Sequence, residues 1–183
     1  MTPAARVQAA IEILDLVIAA ARGQGAPADR ILTDWFRSRR FAGSGDRRAV
    51  REMVYAAIRA CGDVPFSGRA AMLRLAQGDT ALTGLFDGSR HAPLPPVSGE
   101  PVATGGIAPP WLEAALAQSG IAGIDAAALL DRAPLDIRIN TLKGPAPDLP
   151  LAGEPAPAPL ARRYPSGTPI EQWPAYVDGA IEV

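Results

Sequence analysis

The chain reads as a mainly α protein: a helical bundle over residues 1–90, a proline- and glycine-rich linker over 91–106, and a small α+β domain over 107–183 that looks incomplete. Three observations predict this. Apolar residues recur at three- and four-residue steps through the first ninety positions, the helical period. Proline and glycine crowd into 91–106 and again into 144–159, which points to folded blocks joined by stiff connectors. One segment, Leu135 to Leu142, alternates Leu, Ile and Ile with Asp, Arg and Asn, the period-two pattern of a strand with one covered face.

Taken in order, Thr2 and Pro3 suit the N-cap and first turn of a helix whose Val7, Ile11, Leu14 and Ile18 form one stripe until Gly23 ends it. A second helix begins near Pro27 and Asp29, with Ile31, Leu32, Trp35 and Phe36 as its apolar side. Arg37, Arg39 and Arg40 crowd its end, where cations complement the helix dipole. Phe41 to Gly45 is a glycine-rich turn, after which Asp46 is expected to cap a third helix with Val50, Met53, Val54, Ala57 and Ile58 inward. Arg47, Arg48, Arg51 and Arg59 then lie mainly outside. Helices over Arg69 to Gln77 and Asp79 to Phe86 complete the bundle.

Beyond the linker, Pro110, Trp111, Leu112, Ala115 and Leu116 predict a helix ending at Gly120, and Asp125 caps a short one through Leu129, Leu130 and Arg132. The strand at 135–142 follows. Short strands are expected around Tyr164, Trp173 and Tyr176, and Asp178 to Val183 reads as a turn leading into a strand.

With 183 residues the chain is long enough to bury a core without staples. Cys61 is the single cysteine and His91 the single histidine, so no internal disulfide and no Cys/His zinc cluster is available. A cytoplasmic, monomeric protein without metal is expected. Ile11 to Ala21 holds Glu12 and Asp15 and is too short to cross a bilayer, so no membrane span is expected.

A net charge of -1 conceals an asymmetry. Arg30 to Arg59 carries eight arginines against Asp34, Asp46 and Glu52, whereas the chain from Glu100 onward has a surplus of five negative charges. Guanidinium groups match phosphate oxygens bidentately, so the junction between the second and third helices is the candidate nucleic-acid contact. The alternative is a solvated helix face in an arginine-biased protein.

Leu135-Asp136-Ile137-Arg138-Ile139-Asn140-Thr141-Leu142-Lys143 resembles the R-[VI]-N-T-L-K strand that precedes the catalytic domain of Sun/RsmB-type RNA cytosine methyltransferases. Pro110-Trp111-Leu112 is similar to the P-x-W-L helix start of that family. Pro174 to Val183 is similar to its P-x-[FY]-x-x-G-x-[FIV]-x-V approach to the catalytic domain. Asp46 to Tyr55, with Arg59, resembles the D-R-x-x-[VI]-x-x-[LM]-V-Y…R segment of the NusB-like helical domain in the same enzymes. The chain departs from the pattern after Lys143, where a helix usually starts and a proline-rich stretch stands instead.

The resemblance implies a NusB-like helical bundle followed by an RNA-engaging α+β domain. Together they would form the substrate-recognition region of an S-adenosylmethionine-dependent ribosomal RNA cytosine-C5 methyltransferase, with small-subunit ribosomal RNA as partner. It implies S-adenosylmethionine for the full-length parent and no cofactor in this chain. The donor site of the family needs a glycine-rich loop after a strand, and its chemistry needs a cysteine thiolate. Gly43-Ser44-Gly45 lies between helices and reads as a turn, and Cys61 reads as a small packed side chain.

No catalytic residue is therefore assigned, and the isolated chain is expected to show no methyl transfer. Arg37, Arg39, Arg40, Arg47, Arg48, Arg51 and Lys143 are the candidate RNA contacts, with Arg6 a weaker addition. Arg138 and Asn140 read equally well as a polar outer face, and Arg47 as a partner of Asp34 or Asp46. Trp35 and Phe36 read as core. Two other readings stay open: a free-standing NusB-like RNA-binding or transcription-regulatory module, and a protein-interaction domain without RNA affinity.

Overall fold

Thr2 Oγ1 accepts the Ala5 N–H at 3.1 Å and Pro3 follows it, so the first helix, α1, starts where its orphan amides find a partner and runs Pro3–Arg22. It ends at Gly23, whose N–H donates to the Ala19 and Ala20 carbonyls. Val7, Ile11, Leu14 and Ile18 are buried along it, together with Ala4, Ala9 and Ala10. The small side chains let neighbours approach closely.

The computed structural model describes residues 1–183 in two compact units, Met1–Leu130 and Asp131–Val183. In the first, α2 (Ala28–Arg37), α3 (Ser44–Ala60) and α4 (Gly68–Ala76) pack around α1. Leu32, Trp35 and Phe36 of α2, Val50, Val54 and Ala57 of α3, and Ala71 and Met72 of α4 fill the core. The entry of α4 touches α1. Ser67 Oγ accepts the Ala70 N–H, Asp15 Oδ1 accepts the Gly68 N–H at 2.6 Å, and a Cβ at Gly68 would stand 2.2 Å from the Ile11 carbonyl oxygen.

Two expectations change here. The third helix starts at Ser44 with Gly43 as N-cap, not at Asp46. Asp46 instead sits in the first turn and accepts the Gly43 N–H at 3.2 Å. The fifth helix, α5 (Thr80–Thr83), stops three residues short of Phe86, which is buried by packing rather than by helical position.

Residues 91–106 do not separate two units. Ala103 is buried in the helical core and its N–H donates to Ala70 O, while Gly62 N–H donates to Thr104 O. Cys61 and Gly105 form an antiparallel bridge, and Glu100 pairs with Arg69. These non-local bonds tie an aperiodic strap to the bundle, and α6 (Pro110–Gln118) and α7 (Ile124–Ala128) belong to the same unit. The division between units falls after Leu130.

The second unit is a four-stranded antiparallel sheet in the order β2-β3-β1-β4, made of β1 (Leu135–Ile139), β2 (Glu154–Pro155), β3 (Ala161–Tyr164) and β4 (Ile181–Glu182). Leu135 pairs with Tyr164, Ile137 with Arg162, and Ile139 with Ile181. Ile137, Ile139, Tyr164, Ile170, Trp173 and Ile181 form its own core. β1 ends at Ile139 rather than Leu142. Asn140 Oδ1 accepts the Leu142 N–H and its Nδ2 donates to Gly179 O, which turns the chain into a 3-10 segment at Thr141–Lys143.

Trp173 and Tyr176 do not lie in strands. Trp173 follows a second 3-10 segment and precedes α8 (Pro174–Val177), where Pro174 at the first helical position presets the turn. The Trp173 ring meets Tyr164 edge-on at 5.3 Å, so it joins the core through packing alone. No helix of the molecule is long and apolar enough to cross a membrane.

Candidate nucleic-acid interface

At 100° per residue, Arg51, Arg48 and Arg59 fall on α3 within a sector of roughly 80° turned away from Val50, Val54 and Ala57, while Arg47 borders Val54 at the edge of that stripe. Burying that apolar stripe forces the arginines outward, so the core itself positions the cationic face. All four are exposed. Arg48, Arg51 and Arg59 make no ion pair and no hydrogen bond to the rest of the chain. Arg47 uses one donor on the Ala42 carbonyl, at 2.9 Å, and lies 5.8 Å from the Phe36 ring centroid, leaving it without a carboxylate.

Arg40 is exposed in the turn leading into α3, again without a carboxylate. The other candidate arginines each have a carboxylate partner. Arg37 binds Asp34 Oδ1 at 2.5 Å, and Arg30 binds Asp34 Oδ2 at 2.9 Å. The Arg30 hydrogen bond, above all, holds the Asp34 carboxyl below the usual carboxylate range. Arg39 reaches Glu12 loosely at 3.4 Å and lies 3.9 Å over the Trp35 ring. Arg6 donates to Asp46 Oδ1 at 2.9 Å.

Asp46 is buried, and Arg47 does not pair with it. Its carboxylate takes the Met1 ammonium at 3.1 Å as well as Arg6 and the Gly43 N–H, and these donors, the ammonium first, lower its pKa. The negative charge at the head of α3 is thereby enclosed. It is not displayed to a ligand.

Lys143 is exposed at the end of the 3-10 segment in the second unit, whereas α3 belongs to the first. Arg138 pairs with Glu182 Oε2 at 2.6 Å, and Asn140 donates to Gly179 O and Glu182 Oε1. Both belong to a polar outer layer. Arg163 is held by both oxygens of Asp136, at 2.7 and 2.6 Å, which raises its own pKa and lowers that of the carboxyl.

Arg59 and Arg74 were not among the expected contacts, yet they line with Gln77 an open hollow of about 490 Å³. Arg74 donates to Gln77 Oε1 at 2.7 Å and weakly to Ala60 O, and has no carboxylate partner. The sequence signal was the helical spacing of Arg48, Arg51 and Arg59. Arg74, from another helix, left none.

Gly43, Ser44 and Gly45 form the cap and first turn of α3 between two helices, not a loop after a strand. They do not fit a nucleoside-bearing methyl donor. Cys61 is buried, and desolvation pushes its thiol pKa up, the reverse of what a nucleophile needs. No family model, curated protein or solved structure matches this chain. Its functional reading therefore rests on the residues themselves.

Proposed function

We propose that this chain is the RNA-binding, substrate-recognition region of an S-adenosylmethionine-dependent ribosomal RNA cytosine-C5 methyltransferase, with small-subunit ribosomal RNA as its partner. The helical unit corresponds in this reading to a NusB-like domain, and the sheet unit to the α+β domain that precedes catalysis. One observation carries the RNA-binding part: Arg40, Arg47, Arg48, Arg51 and Arg59 stand on one exposed stretch without a carboxylate partner. Free guanidinium groups on a rigid helix are preorganised for phosphate oxygens.

The methyltransferase part is supported by the resemblances at Asp46–Tyr55, Pro110–Leu112, Leu135–Lys143 and Pro174–Val183. In this reading the chain itself holds substrate and performs no methyl transfer, and S-adenosylmethionine belongs to a catalytic domain outside these residues. The test is binding of small-subunit ribosomal RNA fragments by the chain and by an Arg48→Glu/Arg51→Glu variant. Loss of binding in the variant, with retained helical content, supports the reading. Equal binding by both overturns it, and so does methyl transfer by the isolated chain.

A further inference from the structure

Beside the arginine face, the first turns of α1 and the end of α2 border an open cleft of about 460 Å³. Its base is the Trp35 ring, only 6% exposed, with the Arg39 guanidinium lying over it at 3.9 Å. Phe41 stands at the rim with 72% of its surface exposed, an arrangement that core packing does not require. Arg90 and His91, where the chain enters the strap, stand at the cleft, and neither is paired. His91 holds a left-handed backbone, φ +68°, where a non-glycine residue is strained.

Glu12 faces the same space. Its oxygens are only loosely engaged, by Arg39 at 3.4 Å and by Gln8 at 3.5 Å, so the carboxylate keeps acceptor capacity. An exposed ring, a planar cation over an indole, an unpaired arginine and a carboxylate with acceptor capacity left meet in one hollow. Each matches one part of a nucleotide: the base face, its plane, its phosphate and its exocyclic amine.

We infer that this cleft takes one unpaired nucleotide of an RNA strand whose base carries an exocyclic amine that donates to Glu12, as adenine, cytosine and guanine do and uracil does not. The base stacks on Phe41 and the Arg39–Trp35 platform, and the phosphate lies against Arg90. This deepens the RNA-binding reading and rests on it, while using residues separate from the α3 face.

Phe41→Ala removes an exposed ring and leaves the core untouched. In titrations with unstructured oligoadenylate, oligocytidylate and oligouridylate, wild type should prefer the first two. Phe41→Ala should weaken their binding by roughly ten- to a hundredfold, with duplex RNA bound as before. Glu12→Gln should narrow the preference over oligouridylate. Unchanged oligonucleotide affinity in Phe41→Ala overturns the cleft but not the arginine face, provided Arg48→Glu/Arg51→Glu still weakens duplex binding. No affinity of wild type for any RNA overturns both.

Discussion

Arg6 Nε donates to Asp46 Oδ1 at 2.9 Å, joining the first turn of α1 to the first turn of α3 across forty residues of sequence. The buried carboxylate thus fixes where α3 begins, and with it the rotation that turns Arg47, Arg48 and Arg51 outward. A structural carboxylate and a cationic surface are coupled through one helix end.

Asp46 titrates accordingly. Its folded pKa is depressed, so the stability it contributes is present above the unfolded value of about 4 and is lost as pH falls through the lower, folded value. The melting temperature of the helical unit should hold steady from neutral pH to about pH 5 and fall below about pH 4. Asp46→Ala should lower it at neutral pH, through a lost cap and an unpaired Arg6, and should flatten the acid limb. A melt followed by circular dichroism at stepped pH measures both.

Gly68→Ala is a test of the α1–α4 contact. The added methyl would stand 2.2 Å from Ile11 O, backbone that cannot swing aside, so helix separation is the only relief. Destabilisation of about 1–3 kcal/mol or more is expected from such overpacking, read by urea unfolding. Gly45→Ala, with nothing within 4 Å of the added Cβ, should be close to neutral.

The strap over residues 91–106 should be held by Glu100. Its carboxylate grips Arg69 through both oxygens, one at 3.0 Å, and also accepts the Val97 N–H. The Arg69 hydrogen bond, chiefly, lowers the Glu100 pKa. Glu100→Gln should speed proteolytic cutting within 91–106 several-fold without unfolding the bundle, as followed by mass spectrometry of the fragments.

The sheet unit has roughly fifty residues, near the size at which a core alone is marginal. Ile137→Ala, at a position 1% exposed, should cost about 2–5 kcal/mol and unfold that unit while the helices persist. Loss of the near-ultraviolet signal of Trp173 with retained far-ultraviolet helicity would show it. Gly153→Ala should act in the same direction, since its φ is +65° and a Cβ there meets the Tyr164 ring at 2.6 Å.

Much of this architecture is written in local pattern. Thr2, Pro3 and Gly23 bracket α1, and the Val50–Val54–Ala57 stripe fixes which way the α3 arginines point. The alternation at Leu135–Ile139 is a strand. What could not be read is non-local. The strap looks like a linker because its ties to the bundle are single hydrogen bonds from Ala103 and Gly62 and one ion pair, none of them periodic.

The candidate site was legible in the same uneven way. Charge counting cannot tell Arg37, held by Asp34, from Arg40, held by nothing, because both sit in one basic run. Nor does it foresee that Lys143 belongs to the other unit, or that Arg74 stands beside Arg59. Phe41 reads as one more turn residue until its exposure beside Trp35 and Arg39 is seen.

The most direct measurement is the dependence of RNA affinity on salt for wild type and for Arg40→Ala, Arg48→Ala and Arg51→Ala. Each arginine that binds a phosphate should, when removed, reduce the slope of log K against log salt by about one. Arg37→Ala, whose guanidinium already belongs to Asp34, should leave the slope nearly unchanged. Equal slopes for all four variants and wild type, or no salt-dependent RNA affinity at all, would contradict the account.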